Sequence, residues 1–283
     1  MAQSLPAVGV ADALRKEVPV GSAEPQNRFL ASFYPESRFG GFSDIDGTIA
    51  FYVRVNALLT PYSEVVDFGC GAGAYGEDPI RVRRDLRILK RKVRKVVGLD
   101  IDPAAATNPF VDEFLLLGEQ GLWPLPPHQA DLVLCDNVLE HLERPELFFQ
   151  EAARVLKPGG SLCIRTPNVL SYVGVISRLV PNRWHGTVVS KVQASRRAED
   201  VFPTYYRCNT VWRLRRMLAR HSFDGVVYGY EAEPSYLNFS KLAYALGVVH
   251  QKLAPSLVRP ALFAFARLRE KRTDVLADAA GRG

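Results

Sequence analysis

Four glycines fall within eight positions, Gly69, Gly71, Gly73 and Gly76, in the stretch VVDFGCGAGAYGE (65–77). They follow directly on EVVDF (64–68), a short apolar run that reads as a buried strand. A strand that ends in so many residues without side chains brings its backbone close to something. In an open parallel sheet, ligands sit at the carboxyl ends of the strands, where strand order reverses, and the amides that open the next helix face them. This one loop therefore points to an α/β chain with its site at the strand ends.

The rest of the chain alternates accordingly. Residues 79–95 place Val82, Leu86, Leu89 and Val93 at helical spacing, and VVGLD (96–100), EFLLL (113–117), DLVLC (131–135) and SLCIRT (161–166) read as strands. PELFFQEAARVL (145–156) reads as a helix with Pro145 in its first turn and KPGG as its stop. Short apolar runs joined by crossovers imply a parallel sheet covered on both faces. Further on, NTVWRLRRMLARH (209–221) reads as a helix capped by Asn209, FDGVVYGYE (223–231) as a strand, and YLNFSKLAYALGVVHQKL (236–253) as a helix. ALFAFARLR (261–269) is expected to be a strand paired with 223–231. The expected fold is a Rossmann-like, doubly wound, mostly parallel seven-stranded sheet with an antiparallel last strand. It divides into a loose segment 1–27, a helical arm or lid 28–62, a core 63–168 that carries the glycine loop, a long connection 169–208, and a C-terminal part 209–283 with a helical insertion.

Composition narrows the function classes. The formal net charge of +6 on 283 residues leans toward anionic partners without indicating nucleic acid. The basic run RVRRDLRILKRKVRK (81–95) reads as a helix with a solvated outer face, and no aromatic residue interleaves with its arginines to stack bases. Cys70, Cys135, Cys163 and Cys208 show no paired spacing, which suggests a reduced, cytoplasmic setting without zinc or disulfides. The first residues lack the basic start and apolar block of a signal peptide. No apolar run approaches the roughly 18 residues of a spanning helix.

GAGAYG matches G-x-G-x-x-G, by itself a weak dinucleotide signal. Asp67, just before the loop, would repel a pyrophosphate and welcome a cationic amino acid. The ribose acid, Asp100, lies farther on than the usual spacing of about 20 residues. At these residues the chain resembles the class I S-adenosylmethionine-dependent methyltransferases. VVDFGCGAG, VVGLDID, GEQGLWPLPPHQADLVLCDNVLEHL and EAARVLKPGGSLCIRTPN stand in the family's order, over about residues 63–168. The resemblance implies S-adenosyl-L-methionine as cofactor; no metal-ligand cluster is visible in the sequence, so no metal is expected. Asp67, Gly69, Cys70 and Gly71 would face its methionine part, with Gly73 allowing the helix to come close. Asp100 would take the ribose hydroxyls and Ile101 would pack on the adenine. Glu119 and Gln120 stand where an aspartate often meets the adenine amino group, and Asp136 and Asn137 would border the sulfonium and the acceptor.

Other residues keep two readings open. His141, in LEHL after the fourth strand, is a candidate general base or a loop-ordering histidine. Cys70 reads better as a small loop residue than as a nucleophile. In the arm, Val53, Ala57 and Leu58 suggest a helix, and Arg38, Phe42, Asp46 and Tyr52 are its candidates to line a pocket. The connection after the core supplies Asn168, His185, Tyr205 and Tyr206 as candidate acceptor contacts. A small-molecule, saccharide or lipid-linked acceptor is expected. The alternatives are a catalytically inactive S-adenosylmethionine-binding protein and an NAD(P)-dependent oxidoreductase. In 236–272, Leu237, Leu242, Leu246 and Val249 share a helical face near several basic residues. The plainer reading has these side chains covering the sheet; the other has them resting on anionic lipid as a peripheral membrane contact.

Overall fold

In the computed structural model, described over residues 27–118, 121–179 and 203–270, seven strands form one sheet. They are β1 (Glu64–Phe68), β2 (Lys95–Asp100), β3 (Glu113–Leu116), β4 (Ala130–Asp136), β5 (Leu156–Pro167), β6 (Phe223–Tyr230) and β7 (Ala261–Leu268). Their order is β3-β2-β1-β4-β5-β7-β6. Pairings are parallel from β3 to β5, whereas β7 lies antiparallel between β5 and β6. β6 therefore points the same way as β5, and its carboxyl end joins theirs on one edge. Strand order reverses between β1 and β4, which sets the cleft where the glycine loop leaves β1.

Period-2 alternation distributes the central strands between two cores. Val66, Val133 and Cys135 face one cluster, with Phe148, Phe149 and Leu214, while Val65, Leu132 and Leu134 face the other, with Phe51, Cys163 and Phe263. Helices α1 (Leu30–Phe33), α2 (Gly47–Ala57), α3 (Arg81–Arg87), α4 (Pro145–Val155), α5 (Tyr172–Leu179), α6 (Val211–Arg220) and α7 (Lys241–Leu253) complete the described regular structure with several short 3-10 turns. Asp46 starts α2 by accepting from the amides of Thr48 and Ile49, both at 2.9 Å. All four cysteines are free and buried.

Four expectations are corrected. The helix expected over 79–95 is only α3. The chain turns extended at Ile88 and left-handed at Arg91, so Leu89 and Val93 reach the core from turns, and Val82 is exposed. The cap of α6 is Thr210, whose side chain accepts from the Arg213 amide; Asn209 is buried and donates to Thr166 Oγ1 and the Pro167 carbonyl. The inner face of α2 is Phe51, Tyr52 and Val55, with Val53 and Leu58 exposed. Finally, Leu242, Leu246 and Val249 on α7 do not cover the sheet: they are 71%, 62% and 52% exposed, while Tyr244, Gly247 and Val248 form the buried face.

Candidate active site

The glycine loop turns sharply after β1, and its glycines are not equivalent. A Cβ on Gly69 (φ +73°) would meet Val138 at 2.3 Å, and one on Gly73 would meet Asn108 Oδ1 at 2.7 Å. Gly73 thus admits the 108–110 loop rather than the following helix. Gly71 (φ +55°) differs, because a Cβ there meets no protein atom within 4 Å. A side chain at Gly71 would project into the open cleft, which is the signature of a backbone cradle. The Gly71 amide donates to Asp100 Oδ2 at 2.9 Å, and Asp102 N–H donates to Oδ1 at 3.0 Å. Asp100, at the end of β2, is thereby locked against the loop, each oxygen keeping a lone pair. Asp102 caps the following turn through the Ala104 amide. Ile101 is 61% exposed beside it, an apolar platform open to a planar ligand. Cys70 is buried with its Sγ against Gly98, and burial pushes its thiol up to about 12, which removes it as a nucleophile.

Deeper in the cleft the charges are coupled. Asp136, ending β4, accepts a bidentate Arg165 fork at 2.5 and 2.6 Å, the Tyr52 hydroxyl at 2.9 Å and the Asn137 side-chain amide at 3.0 Å. Burial alone would raise its carboxyl, but Arg165 outweighs it and holds Asp136 below the usual range. Asn137 takes the left-handed conformation (φ +56°), its amide held by the Arg165 carbonyl. Asp67 has no such fork. Burial, then the neighbouring charge of Asp136, push it up to about 7, against the pull of Arg87.

Sequence reasoning missed Arg87. Its run has the spacing of a solvated basic face, yet its guanidinium stacks on Tyr75 at 4.6 Å and lies 5.7 Å from the Tyr52 ring, with Nη2 3.9 Å from Asp136. Its Nε is buried without a partner among the described residues. Asp67 and Arg87 together offer one carboxylate and one guanidinium to a zwitterionic amino acid group. With the Gly71 cradle and Asp100, this donor set fits S-adenosylmethionine.

Beside this cleft lies a cavity of about 320 Å³, large enough for a small molecule. Its wall joins Thr48 on α2, Asn137 and Arg165 at the ends of β4 and β5, and Tyr230, Glu231 and Glu233 at the end of β6. Glu231 is buried; its Oε1 meets His250 Nδ1 at 2.8 Å, and its Oε2 has no partner among the described residues. Burial raises its carboxyl, with His250 opposing. Tyr172 packs edge-on against His250 at 5.0 Å and also lines the cavity. Neither Glu231 nor His250 drew notice in the sequence. The only hint was an acid just past a strand that ends on the ligand edge.

The candidate acceptor residues fare differently. Asn168 is 1% exposed and does not line the cavity: it donates to the Leu257 and Arg259 carbonyls and accepts from the Leu170 amide, so it is a structural tie. Tyr205 and Tyr206 are also outside the cavity wall; their amides donate to the Glu140 carbonyl. His141 Nδ1 lies 2.9 Å from the Pro203 carbonyl, which places it at the anchor of that same segment. Glu140 is a local partner, accepting from Thr166 Oγ1. Of the arm residues, Asp46 lines the cavity and Tyr52 holds Asp136. His185, Glu119 and Gln120 lie outside the described residues. No group of three or more metal-ligating side chains occurs among the described residues, and no described helix is long and apolar enough to cross a membrane.

Comparison with known proteins agrees with this geometry. Residues 66–164 match the family model "Methyltransferase domain". A probable S-adenosylmethionine-dependent methyltransferase of Mycolicibacterium smegmatis is 34% identical over 114 residues, which cover 38% of this chain and 40% of that protein. A ubiquinone biosynthesis O-methyltransferase of Cupriavidus pinatubonensis is 31% identical over 137 residues, covering 47% of this chain and 53% of that protein. The chain thus spans about half or less of the length of these relatives. Among solved structures, the [4+2]-cyclase SpnF shares the fold at a TM-score of 0.50 and 16% identity, over 86% of this chain and 93% of that one. The chain carries a class I S-adenosylmethionine-dependent methyltransferase domain, and the cofactor of that class is S-adenosyl-L-methionine.

Proposed function

We propose that the chain transfers a methyl group from S-adenosylmethionine to a hydroxyl oxygen of a small acceptor seated in the cavity. The observation that carries this reading is Glu231, a buried carboxylate that lines the cavity and keeps one oxygen without a partner among the described residues, at the same sheet edge as the cofactor cleft. The cofactor supplies an electrophilic methyl group. Asp67 and Arg87 hold its amino acid end, and Asp100 its ribose. Arg165, locked by Asp136 and Thr48, keeps the wall between cleft and cavity rigid. The acceptor hydroxyl donates to Glu231 Oε2. With the cofactor bound, its methyl group would pass to the hydroxyl oxygen, and Glu231 would take up the hydroxyl proton as general base. His250, on the other oxygen, fixes the orientation of Glu231. The O-methyltransferase among the relatives supports oxygen as the acceptor atom.

The fold does not settle the chemistry, since one protein that shares it is a cyclase. The test is a screen of cell extracts with isotope-labelled S-adenosylmethionine, followed by mass spectrometry. Labelled ether products are expected with the native chain, with turnover roughly 10²–10⁴-fold lower for Glu231→Gln, the range of a lost general base. Cofactor binding without any labelled product would favour an inactive S-adenosylmethionine-binding protein. Full turnover in Glu231→Gln would remove Glu231 as the base.

A further inference from the structure

Helix α7 is amphipathic in an unusual direction. Its inner face is Tyr244, Gly247 and Val248: Tyr244 is fully buried against Phe29 and Phe33 of the arm, and a Cβ on Gly247 would meet Pro234, before the helix, at 2.5 Å. With that face satisfied, Leu242, Leu246, Val249 and Leu253 recur at i, i+4, i+7 and i+11 on the opposite side. They are 71%, 62%, 52% and 76% exposed, and Phe239, just before the helix, is 67% exposed. A contiguous stripe of this kind is more than the scattered apolar residues of an ordinary surface, and it marks a contact.

The surrounding charge selects the occupant. From residue 234 to residue 269 the chain has no aspartate or glutamate, while it has Lys241, Lys252, Arg259, Arg267 and Arg269. Lys241 and Lys252 are exposed on α7 itself, and Arg28, bonded to the carbonyls of Asn238 and Phe239, adds a third positive charge at the start of the stripe. The nearest acids in sequence, Glu231 and Glu233, are engaged with His250 and Ser43. A second copy docked on the same face by two-fold symmetry would set these cations against their own kind, which is unfavourable. A polar, anionic surface with an apolar interior suits both features.

We propose that α7 is a membrane-surface helix that lays Phe239, Leu242, Leu246, Val249 and Leu253 into the boundary of an anionic lipid bilayer, with Lys241, Lys252 and Arg28 on the headgroups. Ser235 and Tyr236 line the cavity and lead within a few residues to Phe239. Resting on the reading of that cavity as the acceptor site, the surface brings it to lipid-borne hydroxyl compounds.

Co-sedimentation of the full chain with vesicles tests this without cofactor or acceptor, so its outcome is separate from that of the methyl-transfer reading. Binding is expected to vesicles of three parts phosphatidylcholine to one part phosphatidylglycerol and not to phosphatidylcholine alone, and to fall in about 0.5 M salt. L242E/L246E lies on the exposed face and should fold, bind S-adenosylhomocysteine as the native chain does, and lose vesicle binding by more than about tenfold. K241A/K252A should weaken it roughly fivefold per lysine. Three results would overturn the proposal: no binding to anionic vesicles at low salt, native-like binding by L242E/L246E, or a dimer dissolved by L246E with no vesicle binding, which would assign the face to a second copy.

Discussion

The pH dependence of cofactor binding follows from Asp67. Burial and the neighbouring Asp136 raise its carboxyl to about 7, while Asp136 itself is kept ionised by Arg165. On the proposed pairing of the cofactor's ammonium with the ionised form, binding below pH 7 requires a proton to leave Asp67. If only the ionised form binds well, affinity falls about tenfold, or about 1.4 kcal/mol, for each pH unit below 7. Between pH 8 and pH 5.5 the expected loss is about 30-fold, or about 2 kcal/mol. The sign for folding is opposite. An acid raised in the folded state keeps its proton longer than in the unfolded chain, so its contribution to stability is lost as pH rises from about 4 through 7. Tighter cofactor binding at higher pH is therefore not a by-product of a more stable fold. Calorimetry with S-adenosylhomocysteine over this range, in two buffers of different ionisation enthalpy, reads both affinity and released protons. One proton should be released near pH 6 and none near pH 8, and Asp67→Asn should flatten the profile. A flat profile in the native chain, with no proton released, would refute the pairing of Asp67 with the ammonium.

Three further outcomes can be checked with single substitutions. Gly71→Val should cost about 1–3 kcal/mol of stability from its φ of +55°, keep a native-like circular dichroism and abolish binding of S-adenosylhomocysteine, because the added side chain enters the open cleft; normal binding would mean the loop is not the cradle. Asp100→Ala should weaken that binding by about 2–4 kcal/mol, combining lost ribose bonds with a loosened Gly71 amide; unchanged affinity by calorimetry would remove Asp100 from the site. Asn168→Ala should lower stability by about 2–3 kcal/mol in chemical denaturation, since it strands two carbonyls and an amide, and leave cofactor affinity unaltered; a stable variant with impaired turnover would restore Asn168 to the acceptor site.

Cleft and cavity were unequally legible. The cleft comes from residues within a few positions of a strand end: Asp67 and the glycines at the end of β1, Asp100 at the end of β2, Asp136 and Asn137 at the end of β4. Strand periodicity and a parallel topology suffice to bring those ends to one edge, and the antiparallel β7 was legible from its own apolar run. The cavity is assembled from distant pieces. Glu231 becomes a site residue because β6 runs parallel to β5, and His250 reaches it only through the packing of α7 nineteen residues on.

The sequence by itself determined the α/β sheet, the position of its loop and the charge types around the cofactor, because these depend on local spacing and on which backbone conformations glycine allows. Only the tertiary structure decided which way the side chains point. Arg87 turns inward from a run that looks solvated, because α3 ends early and Tyr52 and Tyr75 close around it. Asn168 turns into the core, because the β7 approach leaves the carbonyls of Leu257 and Arg259 to be satisfied. On α7, Tyr244 faces the arm, Gly247 faces Pro234, and Leu242, Leu246 and Leu253 face out. Helical periodicity shows that two faces differ, but which one is buried depends on the partner that the rest of the chain supplies.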